Sequence, residues 1–494
     1  MTLPFKNIPA NLRVPLFYAE VDNSLANTAT LNQRALIIGQ ITAAGTGVPN
    51  VPVISQGVAD AAQIGGPGSM LHLMTQMYRA NDNFGEVWYL PLADDAAAVA
   101  ATGTFAVTAA PTVSGTLYLY IAGVRVAVPV LSSQTTAQIA TAIAAAVTAT
   151  PNLPVTAAAA TSTVTFTAIN KGPCGNDIDL RVNYQGTPGG EVTPTGMTFT
   201  ITAMASGATA PSLTTGLLNL VDKPFDFIIC PYNDTTSLDA LKNLLNDTTG
   251  RWSWTSQIYG HYFAAYRGTL GALTTFGVLR NDQHGSIMGF YDSPTPNWLW
   301  AAAFGAQAAV SVRADPGRPM QTLALQGVLA PPLKSRFGLV GDRNTLLYDG
   351  ISTFTVADDG TVAIENAITT YQKNSFGQPD NSYLEVETMF TLMAVLRFLK
   401  TRITSKFPRM KLAADGTRFA AGSAIVTPRM IRADQIAAYQ ELEFAGLVQR
   451  SDLFAENLIV QQNAQNPNRV DVLWPGTLIA QLRIFALLAQ FRLQ

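Results

Sequence analysis

The chain has 494 residues and a formal net charge of −2, from 31 basic and 33 acidic side chains. That balance gives no electrostatic footprint for nucleic acid or for an acidic membrane surface. Charged residues are 13% of the total and mean hydropathy is +0.18, well below the charge density of ordinary soluble proteins, so a surface largely covered by partners and a chain of several domains are expected.

Residues 1–22 carry Pro4, Pro9 and Pro15 and end in "VPLFYAEVD". Prolines at this density oppose helix and predict an extended arm. Within it Leu16, Tyr18 and Glu20 alternate with Phe17, Ala19 and Val21, which suits a strand with one apolar face. No charged-then-apolar leader pattern opens the sequence, so a cytosolic, soluble product is expected.

From Arg34 strands and helices alternate. "RALIIGQI" reads as a buried strand, "GPGSMLHLMTQMYRAN" as a helix capped by Ser69, and "GEVWYLPL" as a second strand. The pattern resumes near residue 213 with the helix "LTTGLLNLV", the strand "FDFIICPY" and the helix "SLDALKNLLND". It continues through the strand "GHYFAAY", the helix "TLGALTTFGVLRN", the strand "GSIMGFY" and a helix from Asn297. This alternation predicts a mostly parallel sheet with helices on its faces, built from residues 23–95 and 206–345. The apolar run "WLWAAAFGAQAAVSV" from Trp298 is too short and too polar to span a bilayer.

The interruption differs in composition. From Ala96 to Asn170 the single charged residue is Arg125. "GTLYLYIAGVRVAVPV" and "STVTFTAIN" alternate with period two, and "TTAQIATAIAAAVTAT" reads as a helix between them. A small β-rich domain inserted over residues 96–205 is predicted.

Residues 346–494 read as a further α+β domain. "TFTVADDGTVAIENAITT" is a hairpin turning at Asp358, Asp359 and Gly360. "NSYLEVETMFTLMAVLRFLKTRITSKF" is the longest helix, opened by a capping box of Ser382 and Glu385 and stopped by Pro408. A second helix has Thr427 as cap, Pro428 at its first position and Gly446 closing it. "NLIVQQN" and "RVDVLW" are strands around Asn466, Pro467 and Asn468. The end, "RIFALLAQFRLQ", is apolar where chain ends are usually polar. Phe485, Leu487, Ala489, Phe491 and Leu493 share a face at strand period, while Leu478, Leu482, Phe485 and Phe491 share a helical stripe, and the periodicity leaves both open.

Candidate chemistry is sparse. His72, His261 and His284 are isolated from one another and read as structural or surface residues, and Cys174 and Cys230 read as buried free thiols with no zinc spacing. "GGPGSM", Gly65 to Met70, is a glycine-rich turn into a helix that lacks the lysine and spacing of a nucleotide loop. Ser286 in "HGSIMG" opens a strand rather than sitting on a nucleophile elbow, and the pairs Asp94–Asp95 and Asp358–Asp359 fall at turns. No catalytic, cofactor-binding or metal-binding residue is assigned. The electrostatic exception is a run of six cations without an acid, Arg397, Lys400, Arg402, Lys406, Arg409 and Lys411. Two or three of them suit a helix C-terminus; six is more than capping requires, and part of the run is expected to face an acidic protein surface.

Four stretches together resemble the tail sheath proteins of contractile phages, in the Mu-like branch. They are "NIPANLRVPLFYAEVDNS" (7–24), "YRANDNFGEVWYLPLADD" (78–95), "ITTYQKNSFGQPDNSYLEVETMFTLMAVLRFLKTRITSKFPR" (368–409) and "SDLFAENLIVQQNAQNPNRVDVLWPGTLIAQLRIFALLAQFRL" (451–493). The resemblance implies a non-enzymatic virion subunit, assembled in the host cytoplasm, that stacks with copies of itself around a tail tube. It would also meet baseplate and tail terminator proteins, without nucleic acid, cofactor or membrane insertion, and contract to drive the tube through the host envelope. It further implies exchange of two segments between subunits: an arm carrying Val14, Leu16, Phe17, Tyr18 and Val21, and a C-terminal strand over 483–494. The C-terminal domain and its basic run would lie against the tube, with the inserted domain outermost. Two other readings remain: the sheath of a headless, bacteriocin-like injection device, which shares the same physics, and an α/β enzyme with an accessory β domain, for which candidate residues are lacking.

Overall fold

The computed structural model describes residues 33–493. The expected arm, with Val14, Leu16, Phe17, Tyr18 and Val21, lies outside the described residues.

A six-stranded sheet organises the body. Its strands lie in the spatial order Gly285–Phe290, His261–Arg267, Phe227–Ile229, Ala35–Gln40, Val87–Leu92 and Val53–Ile54. All neighbours are parallel except the two-residue strand Val53–Ile54, antiparallel to Val87–Leu92. Ala35–Gln40 and Gly285–Phe290 are buried along their whole length, as strands covered on both faces must be, which is why they read as unbroken apolar runs. Helices Met70–Asn81, Thr235–Leu245 and Leu270–Gly277 supply crossovers. Ser69 caps the first of them as expected, its hydroxyl accepting from His72 N at 3.2 Å. The expected helix "LTTGLLNLV" shrinks to Thr214–Leu218, with Val221 turned to φ 44° just beyond.

Helix Asn297–Ala314 is buried nearly all round, so it has no amphipathic stripe and its sequence looks membrane-like. It seats directly on the sheet at Gly305, where a Cβ would fall 2.1 Å from Ile229 Cδ1. Among the described residues no helix is long and apolar enough to cross a membrane.

Residues 96–205 contribute no strand to that sheet. They form an antiparallel four-stranded sheet, ordered Thr198–Ala205, Thr102–Ala109, Thr163–Ala168 and Val155–Ala160, and a three-stranded one of Val124–Val130, Gly115–Ile121 and Leu180–Val182. Helix Thr136–Ala149 opens with a complete capping box of Thr135 and Gln138. Phe105, Leu117, Ile139, Ile143, Val164 and Phe166 belong to a hydrophobic cluster separate from that of the body. Ion pairs cross the seam between the two: Arg181, braced within the insert by Asp179, pairs with Asp292, and Arg267 lies 3.4 Å from Asp177. Arg267 also donates to the carbonyls of Asp177, Ser293 and Thr295. Burial outweighs the attraction of Arg267 and pushes the Asp177 carboxyl up to about 6.

Beyond residue 346 the expected hairpin forms as Thr353–Val356 and Val362–Asn366, with Gly360 at φ 87° in the turn. Its residues Phe354, Val362 and Ile364 join the body's cluster, not a separate one. The longest helix, Val386–Lys406, bridges two cores. Val386, Phe390 and Met393 pack into the body, where Phe390 stacks on Phe227 at 5.1 Å. Val395 instead joins Tyr439, Leu442, Val448, Phe454 and Leu458 in a small second cluster. The capping box expected of Ser382 and Glu385 does not form. Ser382 bonds Asp380, and Glu385 takes the N-cap position without a side-chain cap bond because its carboxylate is drawn to a distant arginine. The following helix, Pro428–Phe444, has the expected Thr427 cap, with Met430 N donating to its hydroxyl at 3.4 Å, and Gly446 at φ 75° beyond its end.

Candidate functional site

Tyr439 knits the small cluster to the last stretch of chain. It stacks on Phe454 with ring centroids 3.8 Å apart, donates to Gln449 O at 2.7 Å and accepts from Thr477 N at 3.0 Å. These bonds seat the short antiparallel pair of Val448–Gln449 with Thr477–Leu478. Beside it projects the expected hairpin, Ile459–Gln462 with Val470–Leu473, a two-stranded ribbon with Ile459 and Leu473 half or more exposed. A two-stranded ribbon leaves an unpaired backbone edge on each side.

Past Leu478 the chain has two remaining anchors. Ile479 N donates to Leu447 O at 3.1 Å. Arg483 then reaches back to the start of the long helix, where its guanidinium donates to Glu387 at 2.5 Å and to Asn366 Oδ1 at 2.6 Å and lies 2.9 Å from Glu385. Glu387 has no exposed side-chain surface and also accepts from Met320 N at 2.7 Å. Burial, opposed by Arg483, raises both carboxyls, Glu385 to about 7. Among the described residues nothing comparable holds the chain beyond Arg483. Ile484, Phe485, Leu487, Leu488, Phe491 and Leu493 are each 77–88% exposed, Ala489 is exposed as well, and the stretch has neither helix nor ladder bonds within the chain. All five residues expected on the strand face therefore lie beyond the last clamp.

The basic run divides. Arg397 lies 2.5 Å from Asp226, an ion pair that ties the long helix to the central sheet. Arg402 bridges Asp434 at 3.1 Å and Glu441 at 2.6 Å, and Lys406 also reaches Asp434. Burial raises the Asp434 carboxyl, but the bonds from Lys406 and Arg402 win and hold it below the usual range. Arg402 and Lys406 thus hold the long helix to helix Pro428–Phe444, and Arg397 holds it to the sheet. Lys400, Arg409 and Lys411 are exposed.

The remaining candidates sit in structural settings. His261 is fully buried with Nε2 on Ser286 Oγ at 2.8 Å, and burial holds it neutral. His284 contacts Asp247 at 3.0 Å and stacks on Trp252, and His72 Nδ1 accepts from Gly68 N. "GGPGSM" is a tight turn, with Gly66 and Gly68 at positive φ and a Cβ on Gly66 falling 2.1 Å from Thr42 Oγ1. Cys174 and Cys230 are buried and free. Among the described residues no group of three or more His, Cys, Asp or Glu could hold a metal. Sequence reasoning missed the Arg483 and Arg397 anchors, because their acids lie far away along the chain.

Residues 206–370 match the model of the phage tail sheath protein central domain, and residues 378–492 that of the phage tail sheath C-terminal domain. The chain is 41% identical over 493 residues, 99% of its length and 100% of the relative's, to the Mu-like prophage FluMu tail sheath protein of Haemophilus influenzae. Among solved structures it resembles the sheath tail protein of Desulfitobacterium hafniense (TM-score 0.48, 12% identity, covering 95% of this chain and 97% of that one). It also resembles the sheath tail protein Lin1278 of Listeria innocua (TM-score 0.48, 12% identity, 91% and 92%). The full-length identity places the family beyond composition and pattern: the chain belongs to the Mu-like tail sheath proteins of contractile phages.

Proposed function

We propose that copies of this chain are woven into a cylinder around a tail tube by their tails, and that rearrangement of the cylinder drives the tube through a host envelope. The observation that carries this is the apolar segment past Arg483, whose large side chains are left exposed by the described residues of their own chain. Laid as a strand on the exposed ribbon Ile459–Gln462/Val470–Leu473 of a second copy, it gains main-chain hydrogen bonds and side-chain burial together. Burying Phe485, Leu487, Phe491 and Leu493 yields roughly 6–12 kcal/mol gross at about 1.5–3 each. Ordering a free segment opposes this by about 1–2 kcal/mol per residue, so the main-chain hydrogen bonds of the added strand are needed beside the side-chain burial for the link to hold.

The arm with Val14, Leu16, Phe17, Tyr18 and Val21 makes the second link. Lys400, Arg409 and Lys411 face an acidic tube through screened contacts that contraction can break, and residues 96–205 form an outer inserted domain. Baseplate and tail terminator proteins cap the cylinder, which is built in the host cytoplasm and carried in the virion. The subunit does mechanical work without turnover chemistry.

Truncation after Arg483 tests the reading. The protein should stay folded, with an unchanged melting temperature, and negative-stain microscopy should show no hollow cylinders. Normal cylinders from the truncated chain would refute it.

A further inference from the structure

Strands His261–Arg267 and Gly285–Phe290 run parallel, so their ends define two poles of the body, about 20 Å apart at about 3.3 Å per residue. At the C-terminal pole lies a groove of about 520 Å³, lined by Leu270 just past one strand, Tyr291 just past the other, and Leu333, Phe337 and Leu339. Leu333 is 78% and Leu339 71% exposed. At the N-terminal pole two aromatic rings are bare, Trp254 at 81% and Phe376 at 86% exposed. Both sit on braced loops. Trp252 fastens the first loop ahead of His261, donating to Gly260 O at 2.9 Å and stacking on His284. Asn281, just ahead of Gly285, fastens the second, its Oδ1 accepting from Gln372 N at 2.7 Å and Lys373 N at 3.0 Å. Asn374 Oδ1 then accepts from Phe376 N at 3.0 Å. The rings are therefore placed before any partner arrives, which removes the ordering cost of binding.

We propose that the groove receives Trp254 and Phe376 of a second copy, so that bodies meet head to tail along the strand direction. This deepens the reading of a self-assembling cylinder and rests on it, but it involves neither tail. The occupant follows from the placement. Bare rings and an apolar groove at opposite poles of one molecule cannot cover each other within it, and between copies they make a heterologous contact that repeats without closing. A stacked cylinder needs that symmetry, whereas two grooves facing each other would stop at a dimer. Two aromatic rings supply about 300–500 Å², short of the roughly 1,200 Å² of a stable interface, so the contact forms between copies that the polymer already holds together.

The test is cross-linking of the full chain in its assembled form. Trp254→Cys combined with Leu339→Cys is treated with a short bismaleimide, the native thiols being buried, and Phe376→Cys with Leu333→Cys serves as an independent second pair. Each chain then carries both halves of the contact, so a ladder of linked trimers, tetramers and longer species is expected. It should form roughly tenfold faster than any linkage of the single variants, because seating raises the effective concentration of the unlike thiols, and peptide mapping should join the two unlike positions. Hollow cylinders that link no faster than the single variants would overturn this contact and leave the exchange of tails standing. Dimers from Leu339→Cys alone would set the grooves face to face and overturn it as well. A full chain that builds no polymer at any concentration would remove both readings together.

Discussion

The Arg483 guanidinium lies 2.5 Å from the fully buried carboxylate of Glu387, so a residue near the end of the chain is fastened to the first turn of the longest helix. Removing one partner of such a pair strands the other in a poorly solvated site, at a cost of about 3–5 kcal/mol. Arg483→Met should lower stability by that order in urea denaturation. Arg483→Met with Glu387→Met should recover part of the loss, because the fully buried Glu387 carboxylate goes with its partner while the less buried Glu385 still loses its own. A single-variant loss under about 1 kcal/mol would show the clamp to be incidental.

Glu385 gives this clamp a pH signature. Its folded pKa, about 7, stands above the ordinary glutamate value of 4.5, so the folded state holds the proton more tightly than the unfolded chain does. The stability this contributes is complete below 4.5 and lost as pH rises through 7. Measured against Glu385→Gln, which does not titrate there, wild-type stability should fall steadily between these values and level off above. A flat difference profile would contradict the burial of Glu385.

The divided basic run predicts two kinds of charge reversal. Arg397→Glu would set a second anion against buried Asp226 and should destabilise the monomer by several kcal/mol. Lys400→Glu, Arg409→Glu and Lys411→Glu should each leave stability within about 0.5 kcal/mol of wild type. Only these three are clean probes of tube association, and co-sedimentation with tubes should weaken as they are combined.

At the seam with residues 96–205, Arg267→Met would leave three backbone carbonyls and Asp177 without their shared donor. At about 1–3 kcal/mol for each unsatisfied buried group, the seam should open before the body melts. Limited proteolysis should then release a fragment near residues 96–205, while the melting of the remaining body changes little. Cleavage unchanged from wild type would show that the seam is held by its apolar contacts.

Much of this was legible in the sequence, for a physical reason. Buried parallel strands such as "ALIIGQ" and "GSIMGF" advertise themselves because both faces must be apolar, and caps such as Ser69 and Thr427 act over a few residues. What local sequence did not reveal were features that turn on distant partners. Glu385 matched a local capping box, but Arg483, remote in sequence, claimed its carboxylate. The six cations formed a run without acids only along the chain; in space Asp226, Asp434 and Glu441 answer three of them. The final apolar segment fits a strand or a helix equally well by spacing, and within one chain it takes neither form.

The route taken by Arg483 sets where tension would be felt. A pull on the final segment does not unravel the Tyr439 cluster from which that segment emerges. It bypasses those few aromatic rings and arrives at Glu387, in the part of the helix rooted beside Phe227 in the large core. The larger core would take the tug ahead of the small cluster.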